Sequence, residues 1–223
     1  MLAGLAARLA SIVIGYAFGL IQTSYILGRL NGIDIREHGS GNAGTTNALR
    51  ILGKKAGIIT FFVDLGKGAA ATLLVRAIMM NFYPDGVNLF VAYAMLGAAL
   101  GHNFPFYLGF KGGKGIAVTG GCVIGFLNPW FFLIGLCVFF GLVILTRYVS
   151  LSSIILMLYV IVYYTVFALK GSFGFDNSHN MLIESIIVII FISCMGIFRH
   201  RENIKRLINH EERKLGEKKK EDI

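Results

Sequence analysis

Two stretches of this 223-residue chain concentrate groups that bind anions. The first carries Gly39, Ser40, Gly41, Asn42, Gly44, Thr46 and Asn47 and ends at Arg50. The second contains Gly112, Gly113, Lys114 and Gly115. Glycine admits positive φ, so successive backbone N–H groups can turn toward one point, and Ser, Thr and Asn add neutral donors. Arg50 and Lys114 add charge, which makes phosphate the natural guest. Gly39-x-Gly41-x-x-Gly44 copies the dinucleotide-binding spacing, but that spacing needs a strand before it, and an apolar helical run stands there instead. The second loop departs from the Walker A pattern too: Leu108 stands where its first Gly belongs, and Gly115 replaces the hydroxyl residue after the Lys.

A third cluster, Arg199-His200-Arg201-Glu202-Asn203-Ile204-Lys205-Arg206, follows the last apolar run. At helical spacing His200, Asn203 and Arg206 approach one another. A basic membrane flank would explain Arg and Lys but not His and Asn. Ser150 opens an apolar run, where it can cap a helix, and a helix N-terminus also attracts anions. Asp64 and Lys67 lie inside an apolar run, where each ionised group costs roughly 2.5–3.5 kcal/mol. Spaced i, i+3, they form either a structural pair or a support for the loops. The chain has no D-D-x-x-D cluster for two metals, no G-x-S-x-G elbow and no His-x4-Asp pair.

The elements that must position these groups follow from composition. Charged residues are 15% of the chain, against roughly 25% in soluble domains. The hydrophobic fraction is 56%, more than a soluble globule of this size can hide. Disorder is excluded for the same reason. Apolar runs at 9–28, 57–80, 87–104, 116–127, 129–146, 150–169 and 181–198 predict an all-α membrane protein with about seven transmembrane helices. The fourth run reaches only about 18 Å of a ~30 Å hydrocarbon core, so it borrows residues 110–115 or is broken or re-entrant. The first run continues without a small-residue cleavage site and is read as a retained span.

With seven spans, Arg29, Arg36, Arg50, Lys54, Lys55, Lys111, Lys114, Arg147 and the basic tail share one side, while Arg8 and Lys170 lie on the other. The positive-inside rule places the N-terminus outside and the C-terminus in the cytoplasm. That distribution accounts for the net charge of +9 without a nucleic-acid partner. Cys122, Cys137 and Cys194 sit in apolar runs without metal-ligand spacing and read as buried small hydrophobes. Gly15/Gly19, Gly97/Gly101 and Gly121/Gly125 have the spacing of close helix packing. One membrane domain, 1–210, is expected to precede a charged cytoplasmic tail, 211–223, that is solvated or disordered.

Taken in order, Gly39-Ser-Gly-Asn-Ala-Gly-Thr-Thr-Asn-Ala-Leu-Arg50, Asp64-x-x-Lys67-Gly68, Gly101-His-Asn-Phe-Pro-Phe-Tyr-Leu-Gly-Phe-Lys-Gly-Gly-Lys-Gly115, Arg147-Tyr-Val-Ser-Leu151 and Arg199-His-Arg-Glu-Asn-Ile-Lys-Arg-Leu207 resemble the motifs of the bacterial PlsY family of acyl-phosphate:glycerol-3-phosphate acyltransferases. The matches cover residues 24–212. Thr45, Val118 and His210 depart from the usual Ala, Thr and Gly, while Glu212 fits the expected Glu.

The resemblance implies a seven-span enzyme of the bacterial cytoplasmic membrane with its active site on the cytoplasmic face. It would move a fatty acyl group from acyl phosphate to the 1-hydroxyl of sn-glycerol 3-phosphate, giving lysophosphatidate and orthophosphate, the first step of phospholipid synthesis. A soluble phosphate acyltransferase would supply the donor. Acyl phosphate is already activated, so neither cofactor nor metal is expected. Arg50, Lys114 and Ser150 would hold phosphates and neutralise developing charge. Ser40 and the backbone of residues 39–44, with Thr46 and Asn47, would cradle a phosphate, and Gly112, Gly113 and Gly115 would shape the second loop. His200 with Asn203 would position the acceptor, whose proton goes to His200 or to a substrate phosphate. Asp64, Lys67 and Arg206 would support the site.

A transporter of anions or organophosphates is the alternative from another class. It would explain spans and basic loops, but it would place polar groups near the midplane, often with internal repeats. Here the polar residues gather on one face. A membrane scaffold would not need two basic glycine loops.

Overall fold

The computed structural model describes residues 2–175 and 179–217, and the regular elements among them are all helical. They are α1 (Leu2–Gly19), α2 (Thr23–Leu30), α3 (Thr45–Ile51), α4 (Lys54–Met79), α5 (Val87–Asn103), α6 (Ile116–Cys122), α7 (Pro129–Thr146), α8 (Val149–Leu169), α9 (His179–Phe198) and α10 (Arg201–Ile208), with short 3-10 turns between. Six stretches among the described residues are long and apolar enough to cross a membrane: Gly4–Leu30, Lys54–Met79, Val87–Leu108, Pro129–Thr146, Val149–Leu169 and His179–Phe198.

The run at 116–127 is the shorter piece that its length foretold. α6 passes into a 3-10 turn, Val123–Phe126, and together they rise only about 18 Å. The far end is anchored where Gly125 O accepts from Arg76 Nη1, 3.4 Å away, and the same nitrogen donates to Asn88 Oδ1 at 2.9 Å. Gly68 and Gly121 let α4 and α6 touch, since a Cβ on either would overlap a backbone carbonyl of the other helix.

α5 is the buried central helix, wrapped by α1, α4, α6 and α9. Gly15 and Gly97 confirm the packing expectation: a Cβ on Gly15 would overlap Ala94 O, and one on Gly97 would overlap Ile12 O.

The first apolar run is not one straight helix. It breaks at Leu20 and Ile21, between α1 and α2, because distant side chains take up the freed carbonyls. Tyr107 Oη donates to Leu20 O at 2.6 Å, Lys67 Nζ donates to Ile21 O, and Gln22 Nε2 donates to Gly19 O at 3.3 Å while also tying the break to His102 O of α5 at 3.0 Å. In lipid an unanswered carbonyl would cost several kcal/mol, so these donors are what permit the break. Lys67 Nζ also lies 2.7 Å from Asp64 Oδ1 and 2.9 Å from His102 Nδ1. The Asp64–Lys67 pair is thus a buried pin between α4, α5 and the break.

The two ends of the bundle differ. At one, Arg8 Nε and Nη2 each meet a Glu184 carboxylate oxygen at 2.6 Å, Tyr93 Oη donates to the same carboxylate at 2.6 Å, and Asn88 Nδ2 donates to Phe173 O at 2.7 Å. The glycine loops, α3 and α10 gather at the other. Two expectations need correction. Cys137 and Cys194 are exposed on outward helix faces, and only Cys122 is buried. The tail does not begin as a solvated segment at 211: Glu212 is buried, and Leu215 N donates to Arg147 O at 2.7 Å, so the chain through Glu217 folds back on the bundle. Residues 218–223 of that expected tail lie outside the described residues.

Candidate active site

The first glycine loop is braced from within. Asn47, buried at the start of α3, accepts from Ser40 N at 2.9 Å and donates to Ile35 O and His38 O at 3.0 Å each. Gly39 has φ +64°, and a Cβ there would overlap Asn47 Oδ1. Gly41 N donates to His38 O and Gly44 N to Asn42 O. The N–H groups of Ser40, Gly41 and Gly44, expected to cradle an anion, are therefore spent inside the loop, as is the Asn47 amide. What the loop presents outward is the side chains of Ser40, Asn42 and Thr46, then the half-buried Arg50.

The second loop likewise differs from an anion nest. Gly112 N donates to Asn103 O and Gly113 N to His102 O, and Arg199 Nη2 donates to Gly112 O at 3.2 Å and Gly113 O at 2.8 Å. A Cβ on Gly113 would overlap His102 Nε2. These glycines fold the loop flat against the end of α5, and the result is the position of Lys114. The two loops are tied by Arg36. Asp34 holds its Nε and Nη2 at 2.9 and 2.6 Å, while its Nη1 donates to Leu108 O at 2.9 Å. That hydrogen-bonded guanidinium pulls the Asp34 carboxyl down to about 2.

Lys114 Nζ donates to Asn203 Oδ1. Asn203 Nδ2 donates to Glu212 Oε1 at 2.7 Å, and Arg206 Nε donates to Glu212 Oε2 at 2.7 Å. One chain of contacts thus joins the second loop, α10 and the returning tail. Burial opposes ionisation of Glu212, but the bonds from Arg206 and Asn203 outweigh it and hold its carboxyl below the usual range. Burial lowers Lys114 to about 8, with Glu212 opposing and Arg206, Arg199 and Arg50 adding to the fall. His200, buried just before α10, has Nδ1 2.8 Å from Gly196 O. That contact assigns the proton to Nδ1 and leaves the Nε2 lone pair free. Burial, then the charge of Lys114, pushes His200 down to about 4, so the ring is neutral at physiological pH. Ser150 Oγ, in the first turn of α8, is buried, makes no hydrogen bond of ordinary length among the described residues, and faces the Glu212 carboxylate, whose ionised form it favours.

These groups line two connected spaces. A polar basin of about 690 Å³ is bordered by Gly39, Ser40, Asn42, Arg50, Lys114 and Asn203, and by the charged residues Arg199, Arg201, Glu202, Arg206, Glu211, Glu212 and Arg213. Six cations there face three carboxylates, which favours anions. An apolar cleft of about 460 Å³ runs inward between α4, α7 and α8, along Phe61, Leu65, Leu136, Phe139, Leu156 and Val160. Ser40, Asn42, Arg50, Lys114, Asn203, Glu212 and Arg213 border both. Gly44, Thr46, Asn47, Asp64, Gly115, Ser150 and His200 line the cleft. Gly41, Lys67, Gly112 and Gly113 line neither and act through the backbone or the buried pair. The arrangement fits a ligand with an anionic head and a long alkyl tail, beside room for a second anion.

Glu212 and Arg199 belong to the site but lacked a role in the sequence reading. Glu212 stands in a Glu-Glu-Arg run that reads as solvated. His210, at φ +58°, turns the chain so that Glu211 N and Glu212 N both reach Arg206 O. It holds the left-handed conformation where the resemblance expects Gly, and the match of Glu212 to the expected Glu was the available signal.

A family described as glycerol-3-phosphate acyltransferase matches residues 9–210. The chain is 40% identical over 212 residues to a glycerol-3-phosphate acyltransferase of Clostridioides difficile, covering 93% of this chain and 95% of that one. It is 39% identical over 205 residues to one of Bacillus subtilis, covering 92% and 95%. The fold is similar to the crystal structure of PlsY (YgiH), an integral membrane glycerol 3-phosphate acyltransferase. Its glycerol 3-phosphate form gives a TM-score of 0.79 at 33% identity over 94% of this chain and 96% of that one. Its lysophosphatidic acid form gives 0.75 at 32% identity over 94% and 95%. On the combined weight of the helical membrane architecture, the motifs and these matches, the chain belongs to the glycerol-3-phosphate acyltransferase family of integral membrane proteins.

Proposed function

We propose that the protein transfers a fatty acyl group from acyl phosphate to the 1-hydroxyl of sn-glycerol 3-phosphate, releasing lysophosphatidate and orthophosphate. The observation that carries this reading is the meeting of the cationic basin with the apolar cleft at Arg50 and Lys114. An acyl phosphate laid across that junction has its tail in the cleft and its phosphate beside both cations. The basin keeps room for the phosphate of the acceptor.

The acceptor oxygen attacks the acyl carbonyl carbon, the carbonyl-to-phosphate oxygen bond breaks, and orthophosphate leaves. Arg50 and Lys114 neutralise charge on the phosphates, and the buried Ser150 hydroxyl donates to one of them. Ser40 and Asn42 offer further donors at the basin edge. Asn203 aligns Lys114, while Glu212 and Arg206 hold Asn203. His200 Nε2 accepts a hydrogen bond from a glycerol hydroxyl. With His200 lowered to about 4, a phosphate oxygen of the substrates is the stronger base and takes the proton in the end. No covalent acyl-protein is required.

The basic loops and α10 share the site face, which the positive-inside rule assigns to the cytoplasm, with the N-terminus outside. The protein then sits in the bacterial cytoplasmic membrane, supplied with acyl phosphate by a soluble phosphate acyltransferase. Residues 1–210 form the membrane domain, and the following segment completes the site.

The test is to give purified protein in detergent, with labelled glycerol 3-phosphate and no added metal, palmitoyl phosphate, acyl-CoA or acyl-carrier-protein thioester in parallel. Labelled lysophosphatidate from acyl phosphate alone is the expected result. Product from a thioester but not from acyl phosphate would overturn the donor assignment. No product from any donor, together with liposome uptake of phosphate esters, would favour transport.

A further inference from the structure

The apolar cleft has a measurable depth and a defined floor. Along α8 its lining residues are Val149, Ser150, Ser153, Leu156, Tyr159 and Val160, and no residue beyond Val160 on that helix lines it. Ten residues of helix from Ser150 to Val160 give a depth of about 15 Å. Along α7 the lining runs from Val143 near the junction to Phe132 and Phe131. Below lies a wall of rings: Phe131, fully buried, stacks on Tyr163 with centroids 4.7 Å apart and contacts Phe126 at 6.0 Å.

Two residues shape the last part of this space. Tyr159 is pinned across the cleft, because its Oη donates to Phe131 O at 2.8 Å. Gly135 faces that ring from α7: a Cβ there would lie 3.1 Å from Tyr159 Cε1 and 3.5 Å from Leu156 Cδ1. The missing side chain is what lets the ring lie back against α7, since a Cβ would push it toward the deep end of the cleft. Eight residues separate Val143 from Gly135, so this constriction lies about 12 Å into the cleft.

We propose that Gly135 and Tyr159 are the chain-length determinants of the acyl donor. Gly135 seats the Tyr159 ring against α7, and that ring closes the cleft. The inference rests on the acyl-donor reading above. An extended alkyl chain advances about 1.3 Å per carbon, from a C–C bond of about 1.5 Å. Eight carbons therefore stop short of Gly135, about twelve reach the floor, and longer tails bend out toward lipid between α4 and α7, where Phe62 and Phe140 are exposed.

The experiment compares kcat/KM for octanoyl, dodecanoyl and hexadecanoyl phosphate in detergent, in protein shown to elute as a single species. Burying one methylene is worth about 0.8 kcal/mol, or about fourfold. Gly135→Leu, which displaces about three carbons, should lower the dodecanoyl-to-octanoyl ratio by about sixtyfold. Gly135→Ala, whose Cβ shifts the ring only slightly, should lower it in the same direction by at most about fourfold and serves if the leucine variant does not fold. Tyr159→Ala should act oppositely and raise the hexadecanoyl-to-dodecanoyl ratio. Ile134→Leu, next in sequence but on the exposed face of α7, should leave both ratios alone. Ratios unchanged in the folded Gly135 and Tyr159 variants, with all donors still used by the parent protein, would overturn the chain-length assignment alone. A parent protein that used no acyl phosphate would instead overturn the donor reading beneath it.

Discussion

Raising the pH should inactivate the protein through Lys114, and Glu212, one residue beyond Asn203 in the contact chain, should set where this happens. The free ammonium is lowered to about 8, chiefly by burial. Since kcat/KM reports the ionisations of free enzyme, the rate for glycerol 3-phosphate should hold below pH 8 and fall about tenfold for each unit above it. The second ionisation of a phosphate monoester, near 6, is complete by then and does not confuse the limb. Glu212 is the carboxylate that opposes the fall. It is separated from Lys114 by one Asn203 side chain, with a hydrogen bond on either side, the outer one 2.7 Å long. Adding the amide's own O-to-N span gives a separation of about 8 Å. At an effective dielectric of about 20 this is about 2 kcal/mol, or about 1.5 pH units. Water in the open basin screens part of that, leaving about one unit. Glu212→Gln, which keeps shape but removes charge, should therefore move the limb from about 8 to about 7. The assay is initial rates from pH 6 to 10 at constant ionic strength, with the Lys114→Arg protein alongside. The guanidinium stays charged, so that variant should be slower but should lose the limb. A limb that stays in place in Glu212→Gln, or that persists in Lys114→Arg, would refute the assignment of this ionisation to Lys114.

Lys114→Ala should lower turnover by about 10²–10³ while elution and thermal midpoint in detergent stay near those of the parent protein, because the side chain stabilises charge rather than the bundle. Near-parental turnover would remove Lys114 from the site. Asp64→Leu or Lys67→Met alone should destabilise by about 3–5 kcal/mol, and the double variant should be more stable than Lys67→Met by thermal unfolding, since both lose the bond to Ile21 O but only the single variant leaves Asp64 charged and unpaired. A double variant less stable than Lys67→Met would contradict the cost of that unpaired charge. His210→Gly should stabilise by about 1 kcal/mol, since a non-glycine residue at φ +58° carries that strain, with turnover unchanged. An unchanged or lower unfolding midpoint would contradict the strain.

Long apolar runs were legible because lipid allows few solutions: an uninterrupted run of about 20 residues must be a helix. The break after Gly19 was not, since the groups that satisfy its carbonyls, Lys67 and Tyr107, lie far along the chain. The shortness of the fourth run was legible from length alone. In the loops, residue types pointed to two segments that the fold brings together around the cavities but misassigned their donors. A Gly-rich sequence shows that N–H groups can converge, not whether they converge on a ligand or on the loop's own carbonyls. Asn47 and Gly113 turned out to be braces, and the projecting side chains of Arg50, Lys114 and Ser150 are what face the cavities. Glu212 was hidden because a buried carboxylate in a charged run looks solvated until Arg206 and Asn203 are placed against it. The apolar cleft is a tertiary product of three helices and has no motif at all.

Phosphate release is the measurement closest to the central claim of direct transfer at a junction between head and tail sites. Purified protein in detergent is mixed with palmitoyl phosphate, first without and then with glycerol 3-phosphate, while orthophosphate and lysophosphatidate are followed together. The account predicts no burst of orthophosphate before the acceptor is added, and one orthophosphate per lysophosphatidate afterwards. A burst equal to the protein concentration without acceptor, with the acyl group retained on denatured protein, would contradict it.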